Sequence, residues 1–254
     1  MPAPAMMKQF DLHVEAYDRV RNKITYPDEL YEWIGKNSPS RKRALDLGCG
    51  NGASSHRLLE IFETVQASDL GASLIERAKQ NHPSISFTVE PAEEYETDET
   101  LDAVTVATAF YWMNRKTVLN HAAKWLKPSG VFCAYKYDFP IVYSPLRDFI
   151  EKQAATKWSK YRDARLTQYD DTLELMTSHP EYRDAERMIF SNIIELSPYE
   201  IALFFLSTSY VTKYMDQEGG REYAHRFLEQ VLSIDSAKTV KVNFDIQAFV
   251  AKRK

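Results

Sequence analysis

The sequence has few residues of the kinds that build disulfide frameworks or metal centres. It contains two cysteines, Cys49 and Cys133, and six histidines, and no spacing among them matches a metal-ligand motif. Disulfides are rare in the cytosol, so both cysteines are expected to be reduced and partly buried thiols. The sequence therefore predicts neither a metal site nor a disulfide.

Long apolar runs and an excess of basic charge are also absent. Residues 1–10 lack the apolar segment of a secretory signal, and no window approaches the roughly 18 apolar residues of a membrane-spanning helix. Lysine and arginine number 32 against 36 aspartate and glutamate residues, whereas a nucleic-acid-binding protein needs a basic surplus. We expect a cytoplasmic protein that binds neither membrane nor nucleic acid.

Glycine is scarce as well, with eight residues, but three of them fall at alternate positions directly after an apolar segment. These are Gly48, Gly50 and Gly52, between a predicted strand at 44–47 and a predicted helix at 53–62. Glycine is required where φ is positive, or where the backbone approaches a ligand more closely than a Cβ allows. The following helix offers free N–H groups to an anionic part of a ligand, so this segment predicts a nucleotide-like cofactor.

Strand and helix patterns alternate through the first half of the chain. Strands are predicted at 44–47, 64–69, 85–89, 103–108 and 130–135. Helices are predicted at 29–35, 53–62, 72–81 and 116–126. This alternation is typical of βαβ units and predicts a doubly wound parallel sheet.

The pattern changes after residue 138, where aromatic and charged residues mix at helical spacing up to about residue 187. A strand is predicted at 188–196, helices at 198–215 and 220–234, and a closing strand at 239–251. The sequence thus predicts an α/β fold with a mostly parallel, seven-stranded sheet and a mainly helical insertion before the last two strands. Such an insertion is well placed to cover a cofactor crevice at the carboxyl edge of the sheet.

The glycines alone leave the cofactor open. Gly48, Gly50 and Ala53 also satisfy the G-x-G-x-x-G/A pattern of dinucleotide binders, and Asp69 lies where a ribose-binding acid is expected. However, Asp46 lies inside the strand, where pyrophosphate binding has no use for a carboxylate. A cationic amine or a sulfonium suits that carboxylate better, so Asp46 favours a cationic cofactor over NAD.

Several motifs resemble those of the class I S-adenosylmethionine-dependent methyltransferases, whose fold is Rossmann-like. Residues 44–52 resemble the family's first motif, Asp69 matches its ribose-binding acid, and residues 91–93 match its adenine loop. Residues 107–113, Ala-Thr-Ala-Phe-Tyr-Trp-Met, resemble the aromatic motif of the small-molecule branch that includes trans-aconitate methyltransferases. Tyr111 stands where that branch normally has histidine. The resemblance covers most of the chain.

The resemblance implies S-adenosylmethionine as the cofactor. The residues that it implies for cofactor binding are Tyr17, Arg21, Asp46, Gly48, Cys49, Gly50, Gly52, Asp69, Leu70, Ala92, Glu93, Thr108 and Ala109. The N-terminal segment departs slightly from the family spacing, so Lys23 is an alternative to Arg21. Asp46 is expected to fix the cofactor's amino group, directly or through water.

The expected acceptor is a small molecule, and its candidate contacts are Tyr111, Trp112, Tyr135, Arg162 and Arg165. A carboxylate is ionised at neutral pH and needs no general base, but it needs a cationic clamp, for which the two arginines are candidates. A phenol or hydroxyl would need a base, and His121 lies inside a predicted helix. We therefore expect O-methylation of a carboxylate. A phenol, an amine or another small metabolite stays open as the acceptor, as does a non-catalytic binding module of the same fold.

Four segments follow from this organisation. They are an N-terminal helical lid at 1–40, a cofactor-binding core at 41–137, a helical substrate cap at 138–187, and the end of the core at 188–254 with the last two strands and a further helical cap segment. An enzyme that methylates amino groups of nucleic acid or protein often has an Asn/Asp-Pro-Pro-aromatic turn after the fourth strand. The chain has Ala-Thr-Ala-Phe-Tyr-Trp there, which disfavours that class.

Overall fold

The computed structural model describes Val20, residues 23–167 and residues 170–254. The helices of this part are α1 (Asp28–Asn37), α2 (Ala53–Leu59), α3 (Ala72–Asn81), α4 (Arg115–Trp125), α5 (Leu146–Gln153), α6 (Ala164–Thr167), α7 (Thr172–Ser178), α8 (Pro198–Leu206), α9 (Ser209–Tyr214) and α10 (Gly220–Ile234). The strands are β1 (Arg43–Leu47), β2 (Thr64–Asp69), β3 (Ser86–Val89), β4 (Leu101–Ala107), β5 (Leu126–Tyr137), β6 (Ile141–Val142), β7 (Tyr182–Phe190), β8 (Ile193–Leu196), β9 (Val240–Asn243) and β10 (Ile246–Arg253).

The chain divides into two compact units. The first, here called the core unit, takes in the described parts of Tyr26–Asp138, Tyr169–Ser191 and Asp245–Lys254. The second, here called the insert unit, takes in the described parts of Met1–Thr25, Phe139–Gln168 and Asn192–Phe244. Among the described residues, none of the helices combines the length and the apolar character that crossing a membrane requires.

The core unit is built on a seven-stranded sheet with the strand order β3-β2-β1-β4-β5-β10-β7. Strands β1 to β5 run parallel to one another, and β10 runs antiparallel to both β5 and β7. This confirms the predicted α/β fold with a mostly parallel, seven-stranded sheet. The carboxyl ends of β1, β2 and β4 meet at one edge, which is where ligands bind in open sheets of this kind.

Apolar side chains cover both faces of this sheet. In β1, Ala44 and Leu45 are both fully buried, although successive side chains of a strand point to opposite faces. Ala44 packs in one apolar cluster with Leu58 of α2, and Leu45 packs in the other with Leu119 of α4. Burial on both sides is typical of central parallel strands, so β1 fixes the glycine turn at the end of a rigid element.

The insert unit contains a three-stranded antiparallel sheet in the order β6-β9-β8 in addition to its helices. The sequence did not predict this sheet. The predicted strand at 188–196 is in fact divided between β7 and β8, which belong to different sheets, and β7 already begins at Tyr182. The predicted closing strand at 239–251 is divided in the same way between β9 and β10.

A buried polar residue, Asn192, lies where the first of the two predicted strands divides. The side-chain amide of Asn192 donates to the carbonyl oxygen of Thr25 at 2.9 Å, and the backbone carbonyl of Asn192 accepts from the Phe244 N–H at 2.8 Å. Asn192 lies between β7 and β8, and Phe244 lies between β9 and β10, so the second bond joins the two points at which the predicted strands divide. Sequence alternation alone does not reveal such an exchange of partners.

The predicted helix at 198–215 is likewise two helices, α8 and α9. The hydroxyls of Ser207 and Thr208 donate back to the carbonyls of Phe204 and Phe205, at 2.5 and 2.7 Å. Thr208 has an extended backbone (φ −73°, ψ 144°). Serine and threonine hydroxyls compete with helical hydrogen bonds in this way, and the chain turns before α9 begins.

Candidate functional site

The glycine turn after β1 adopts the backbone that the sequence predicted. Gly48, Gly50 and Gly52 have φ values of 67°, 55° and 83°, a region that favours glycine. A Cβ at Gly48 would lie 2.7 Å from the Cβ of Ala109, and one at Gly52 would lie 2.9 Å from the ring of Phe87. Nothing lies within 4 Å of a Cβ built at Gly50. The turn is therefore packed at both ends and open in the middle, where a ligand could approach the backbone.

The carboxylate of Asp69, at the end of β2, fixes this turn. Its Oδ2 accepts from the N–H of Gly50 at 2.9 Å, and its Oδ1 accepts from the N–H of Gly71 at 2.7 Å. A carboxylate has about four lone-pair positions, so each oxygen keeps the capacity to accept another hydrogen bond. The side chain of Leu70 is 72% exposed beside it. An acid and an exposed apolar side chain thus lie next to the open part of the turn.

Asp46 lies beneath the turn and is fully buried. Its oxygens accept from the hydroxyls of Ser55 in α2 and Thr105 in β4, at 2.7 and 2.9 Å. Burial raises the pKa of this carboxyl to about 6, because low polarity disfavours the charged form. The sequence suggested a role toward the cofactor. The structure shows that Asp46 also joins β1, α2 and β4 below the glycines.

Tyr135, which the sequence grouped with the acceptor-binding residues, lies in the core and is 2% exposed. Its hydroxyl lies 2.5 Å from Ser54 Oγ and donates to Tyr31 Oη at 3.3 Å. The hydroxyl of Tyr135 thus already has partners inside the core unit, and its contact with the acceptor stays a prediction. Successive residues of β5 are apolar and buried on both faces, so the sequence does not reveal that the ring of Tyr135 packs under α2 and α1.

Thr108, directly after β4, has a positive φ of 55°. A β-branched residue is a genuine outlier there, and such strain costs about 1–3 kcal/mol and concentrates at functional sites. Its N–H donates to the carbonyl oxygen of Tyr135 at 2.7 Å, and its hydroxyl lies 2.7 Å from the hydroxyl of Tyr26. Ala109 follows and faces Gly48. The end of β4 is thus fixed against the glycine turn.

The aromatic motif forms a single 3₁₀ turn at Phe110–Trp112. Phe110 is buried, whereas Trp112 is 45% exposed and its ring centroid lies 5.0 Å from that of Tyr111. Trp112 and Tyr111 are therefore placed at the carboxyl edge of the sheet with at least one ring open to solvent.

Glu93 and Ala92 belong to the loop between β3 and β4. Glu93 Oε1 accepts from the N–H of Asn114 at 2.6 Å, and Ala92 is buried. Asn114 in turn caps α4, because its side chain accepts from the Thr117 N–H. Glu93 thus has a structural partner that the sequence did not show.

The two cysteines are free and buried. Cys49 lies in the glycine turn and is 6% exposed, and burial raises the pKa of both thiols. Among the described residues no three histidine, cysteine, aspartate or glutamate side chains come together as metal ligands.

Two ion pairs that the sequence did not predict lie near the end of β5, where the ammonium of Lys136 is above the ring of Tyr111. The Nζ of Lys136 lies 2.5 Å from Oδ2 of Asp170, and Nη2 of Arg115 lies 2.6 Å from Oδ1 of Asp171. Burial alone would raise the pKa of Asp170. The ammonium of Lys136 and the hydroxyl of Thr172 outweigh that effect and hold the pKa below its ordinary value. Lysine at the end of an apolar strand was visible in the sequence, but its distant partner was not.

Two predicted cofactor residues, Tyr17 and Arg21, lie outside the described residues. Lys23, the alternative to Arg21, is described and forms an ion pair with Glu200. Lys23 therefore already has a carboxylate partner within the insert unit.

The two arginines predicted for the acceptor have different surroundings in the insert unit. Arg165 is paired with Asp163, with its Nε and Nη2 each 2.9 Å from a carboxylate oxygen. The guanidinium of Arg162 lies over the rings of Phe139 and Tyr210, at 5.5 and 5.8 Å from their centroids. Its Nε is buried without a hydrogen-bond partner among the described residues. Of these two arginines, Arg162 alone has a buried N–H without an acceptor in the described part of the chain.

Comparison with known proteins gives a consistent result. Residues 44–130 match the family model of a methyltransferase domain. An uncharacterized methyltransferase of Mycobacterium tuberculosis is 32% identical over 126 residues, 49% of this chain and 50% of that protein. A malonyl-[acyl-carrier protein] O-methyltransferase of Acetivibrio thermocellus is 30% identical over 122 residues, 46% of this chain and 42% of that protein. The match thus spans about half the length of each of these two relatives.

Among solved structures, a putative type II methyltransferase from Anaeromyxobacter dehalogenans has a TM-score of 0.76 and 21% sequence identity. The match covers 90% of this chain and 97% of that one. At this identity the likeness establishes the fold. The residues that match the methyltransferase family model, 44–130, include the glycine turn.

Proposed function

We propose that the chain transfers a methyl group from S-adenosylmethionine to a small molecule, most specifically to a carboxylate oxygen, because residues 44–130 match the family model of a methyltransferase domain. The observation that carries this proposal is the contact between Asp69 and the glycine turn. One carboxylate holds the N–H groups of Gly50 and Gly71 and keeps lone pairs for hydroxyl donors, directly beside the open backbone at Gly50.

The residues at the carboxyl edge fit this cofactor. Gly50 leaves room for the methionyl part, Asp69 would accept from the ribose hydroxyls, and Leu70 would contact the adenine ring. We propose the same cofactor set that the sequence indicated for the rest of the site. Those residues are Tyr17, Arg21, Asp46, Gly48, Cys49, Gly52, Ala92, Glu93, Thr108 and Ala109.

The chemistry leaves the protein mainly with the tasks of orientation and exclusion of water. When bound, S-adenosylmethionine supplies a methyl group on a sulfonium, which is already an activated leaving group. A carboxylate acceptor brings an ionised oxygen, so no side chain has to move a proton. Trp112 and Tyr111 would orient the acceptor at the end of β4, and Asp46 would keep the glycine turn in place from below.

The arginines support a carboxylate as the acceptor. Asp163 already neutralises Arg165, whereas Arg162 has a buried Nε without a partner among the described residues. A guanidinium matches a carboxylate in a planar, bidentate geometry. We propose Arg162 as the residue that binds the acceptor's carboxylate. The Acetivibrio relative, an O-methyltransferase named for a malonyl substrate, supports the same acceptor class, because a malonyl group ends in a carboxylate.

We also propose that the chain belongs to the small-molecule branch that includes trans-aconitate methyltransferases. Its support is the motif at residues 107–113 and the carboxylate chemistry of such acceptors. A phenol, an amine or another small metabolite is the alternative acceptor. A non-catalytic module that binds the cofactor is the alternative of another class.

Two measurements test the proposal. A thermal-shift titration compares S-adenosylmethionine, S-adenosylhomocysteine and NAD, since a ligand that binds only the folded state raises its stability. Stabilisation by NAD alone would contradict the proposal. A screen of small acids, phenols and amines with methyl-labelled S-adenosylmethionine then identifies the acceptor. Transfer to acids is expected; transfer to phenols alone would refute the carboxylate, and binding without any turnover would indicate the non-catalytic module.

A further inference from the structure

Thr108 is unusual among the residues with positive φ. The non-glycine residues of this kind in the described part of the chain are Thr108, Ser129 and Asp184. Aspartate is tolerated in the left-handed region, and serine has no branch at Cβ, whereas a β-branched threonine is disfavoured there. Something in the surroundings must therefore hold Thr108 in this conformation.

Two hydrogen bonds hold it: one to Tyr26, and one to Tyr135, against whose ring Tyr26 packs. The Thr108 hydroxyl lies 2.7 Å from the Tyr26 hydroxyl. The Thr108 N–H donates to the carbonyl oxygen of Tyr135 at 2.7 Å, and the ring of Tyr26 packs edge-on against the ring of Tyr135 with centroids 5.1 Å apart and an interplanar angle of 86°. Tyr26 thus touches the strained residue and the residue that accepts its N–H.

The position of Thr108 determines what the glycine turn meets. Ala109 follows it directly, and a Cβ built at Gly48 would lie only 2.7 Å from the Cβ of Ala109. Ala109 is thus packed against the backbone of the turn. If Thr108 relaxed to a negative φ, the backbone would rotate at this point and Ala109 would move relative to Gly48.

We propose that Tyr26 is a positioning residue for the cofactor site: its hydroxyl holds Thr108 in the left-handed conformation and thereby keeps Ala109 against the glycine turn. Tyr26 acts through Thr108 and need not touch the cofactor itself. The inference rests on the proposed function in one respect, the choice of S-adenosylhomocysteine as the probe ligand.

Calorimetric titration of the full chain with S-adenosylhomocysteine tests it through three variants. Tyr26→Phe keeps the ring and removes the hydroxyl, and we expect about fivefold weaker binding. Thr108→Val removes the partner hydroxyl but keeps the β-branch, so we expect a loss of affinity at least as large as in Tyr26→Phe. Thr108→Gly also lacks the hydroxyl but adopts a positive φ without strain. It should bind at least about threefold more tightly than Thr108→Val.

The comparison between valine and glycine separates positioning from a simple hydrogen bond. If the hydroxyl contact alone mattered, both variants would bind equally, and that result would overturn the inference. Tyr182→Phe is the matched control, because the buried Tyr182 hydroxyl donates to the Leu119 carbonyl at 3.0 Å, in the same unit but outside the proposed site. It should lower the melting temperature and leave the affinity unchanged.

A crystal structure of Tyr26→Phe provides a readout that does not depend on ligand. Thr108 is expected to relax to a negative φ in this variant, and an unchanged φ near 55° would contradict the inference. If the wild-type chain does not bind S-adenosylhomocysteine, the proposed function fails, and this structure still decides whether Tyr26 holds Thr108.

Discussion

Replacing Asp69 perturbs the contact on which the proposed cofactor site depends. In Asp69→Ala, the N–H groups of Gly50 and Gly71 lose their acceptor. A hydrogen bond to a charged group contributes about 1.5–3 kcal/mol, but Asp69 is only half-buried and water can replace part of that contribution. We expect a loss of about 2 kcal/mol in the free energy of unfolding, or about 4–8 °C in melting temperature for a chain of this size.

The affinity for S-adenosylhomocysteine should fall further than stability alone would explain. The variant loses the carboxylate that would accept from the ribose hydroxyls, and the turn loses its support. The loss of even one charge-assisted hydrogen bond should weaken the affinity tenfold or more, since each factor of ten in the dissociation constant is about 1.4 kcal/mol. Calorimetric titration measures this change, and differential scanning calorimetry measures the change in stability.

Asp102 offers a matched control for Asp69. It is also a carboxylate that accepts backbone N–H groups, from Lys42 at 3.1 Å and Arg43 at 2.9 Å, but at the amino end of β1. It is fully buried and paired with Lys127 at 2.8 Å. We expect Asp102→Asn to lower the melting temperature without changing the affinity, and Asp69→Asn to weaken binding. Unchanged affinity in the Asp69 variants, or an equal loss in Asp102→Asn, would refute the assignment.

Three further predictions concern the remaining site residues. The pKa of Asp46 in the folded state, about 6, lies above its unfolded value, so ionisation of Asp46 lowers the free energy of unfolding by about 3 kcal/mol as the pH rises from about 4 to 7. Asp46→Asn should therefore gain stability relative to wild type over that pH range in urea titrations, and a difference that does not change with pH would contradict this. Arg162→Gln should lower kcat/KM for an acidic acceptor by roughly tenfold or more, whereas Arg165→Gln should change it little; equal effects would refute the clamp. Trp112→Ala should lower turnover more than cofactor affinity, and equal losses would mark Trp112 as structural.

Local patterns were sufficient to predict the core of the fold. The glycine turn and the alternation of strands and helices follow from short segments whose geometry neighbouring residues dictate. For these features, the sequence contains the physical cause within a few residues.

The remaining features depend on partners far apart in the sequence. The sheet β6-β9-β8 pairs short strands from three separate segments, and Lys136 meets Asp170 across a long stretch of chain. The sequence did not predict which face of the sheet Tyr135 lies on, because β5 is apolar and buried on both faces around this residue. The hydroxyl partners of Asp46 and the strain at Thr108 are likewise products of tertiary packing, which no local pattern predicts.

The central claim is that the glycine turn and Asp69 bind a sulfonium nucleoside rather than a dinucleotide. A calorimetric titration of the full chain with S-adenosylhomocysteine and, separately, with NAD tests it most directly. We predict one saturable site for S-adenosylhomocysteine, weakened by Asp69→Asn and unaffected by Asp102→Asn, and no heat of binding with NAD. Saturable binding of NAD without binding of S-adenosylhomocysteine would contradict the account.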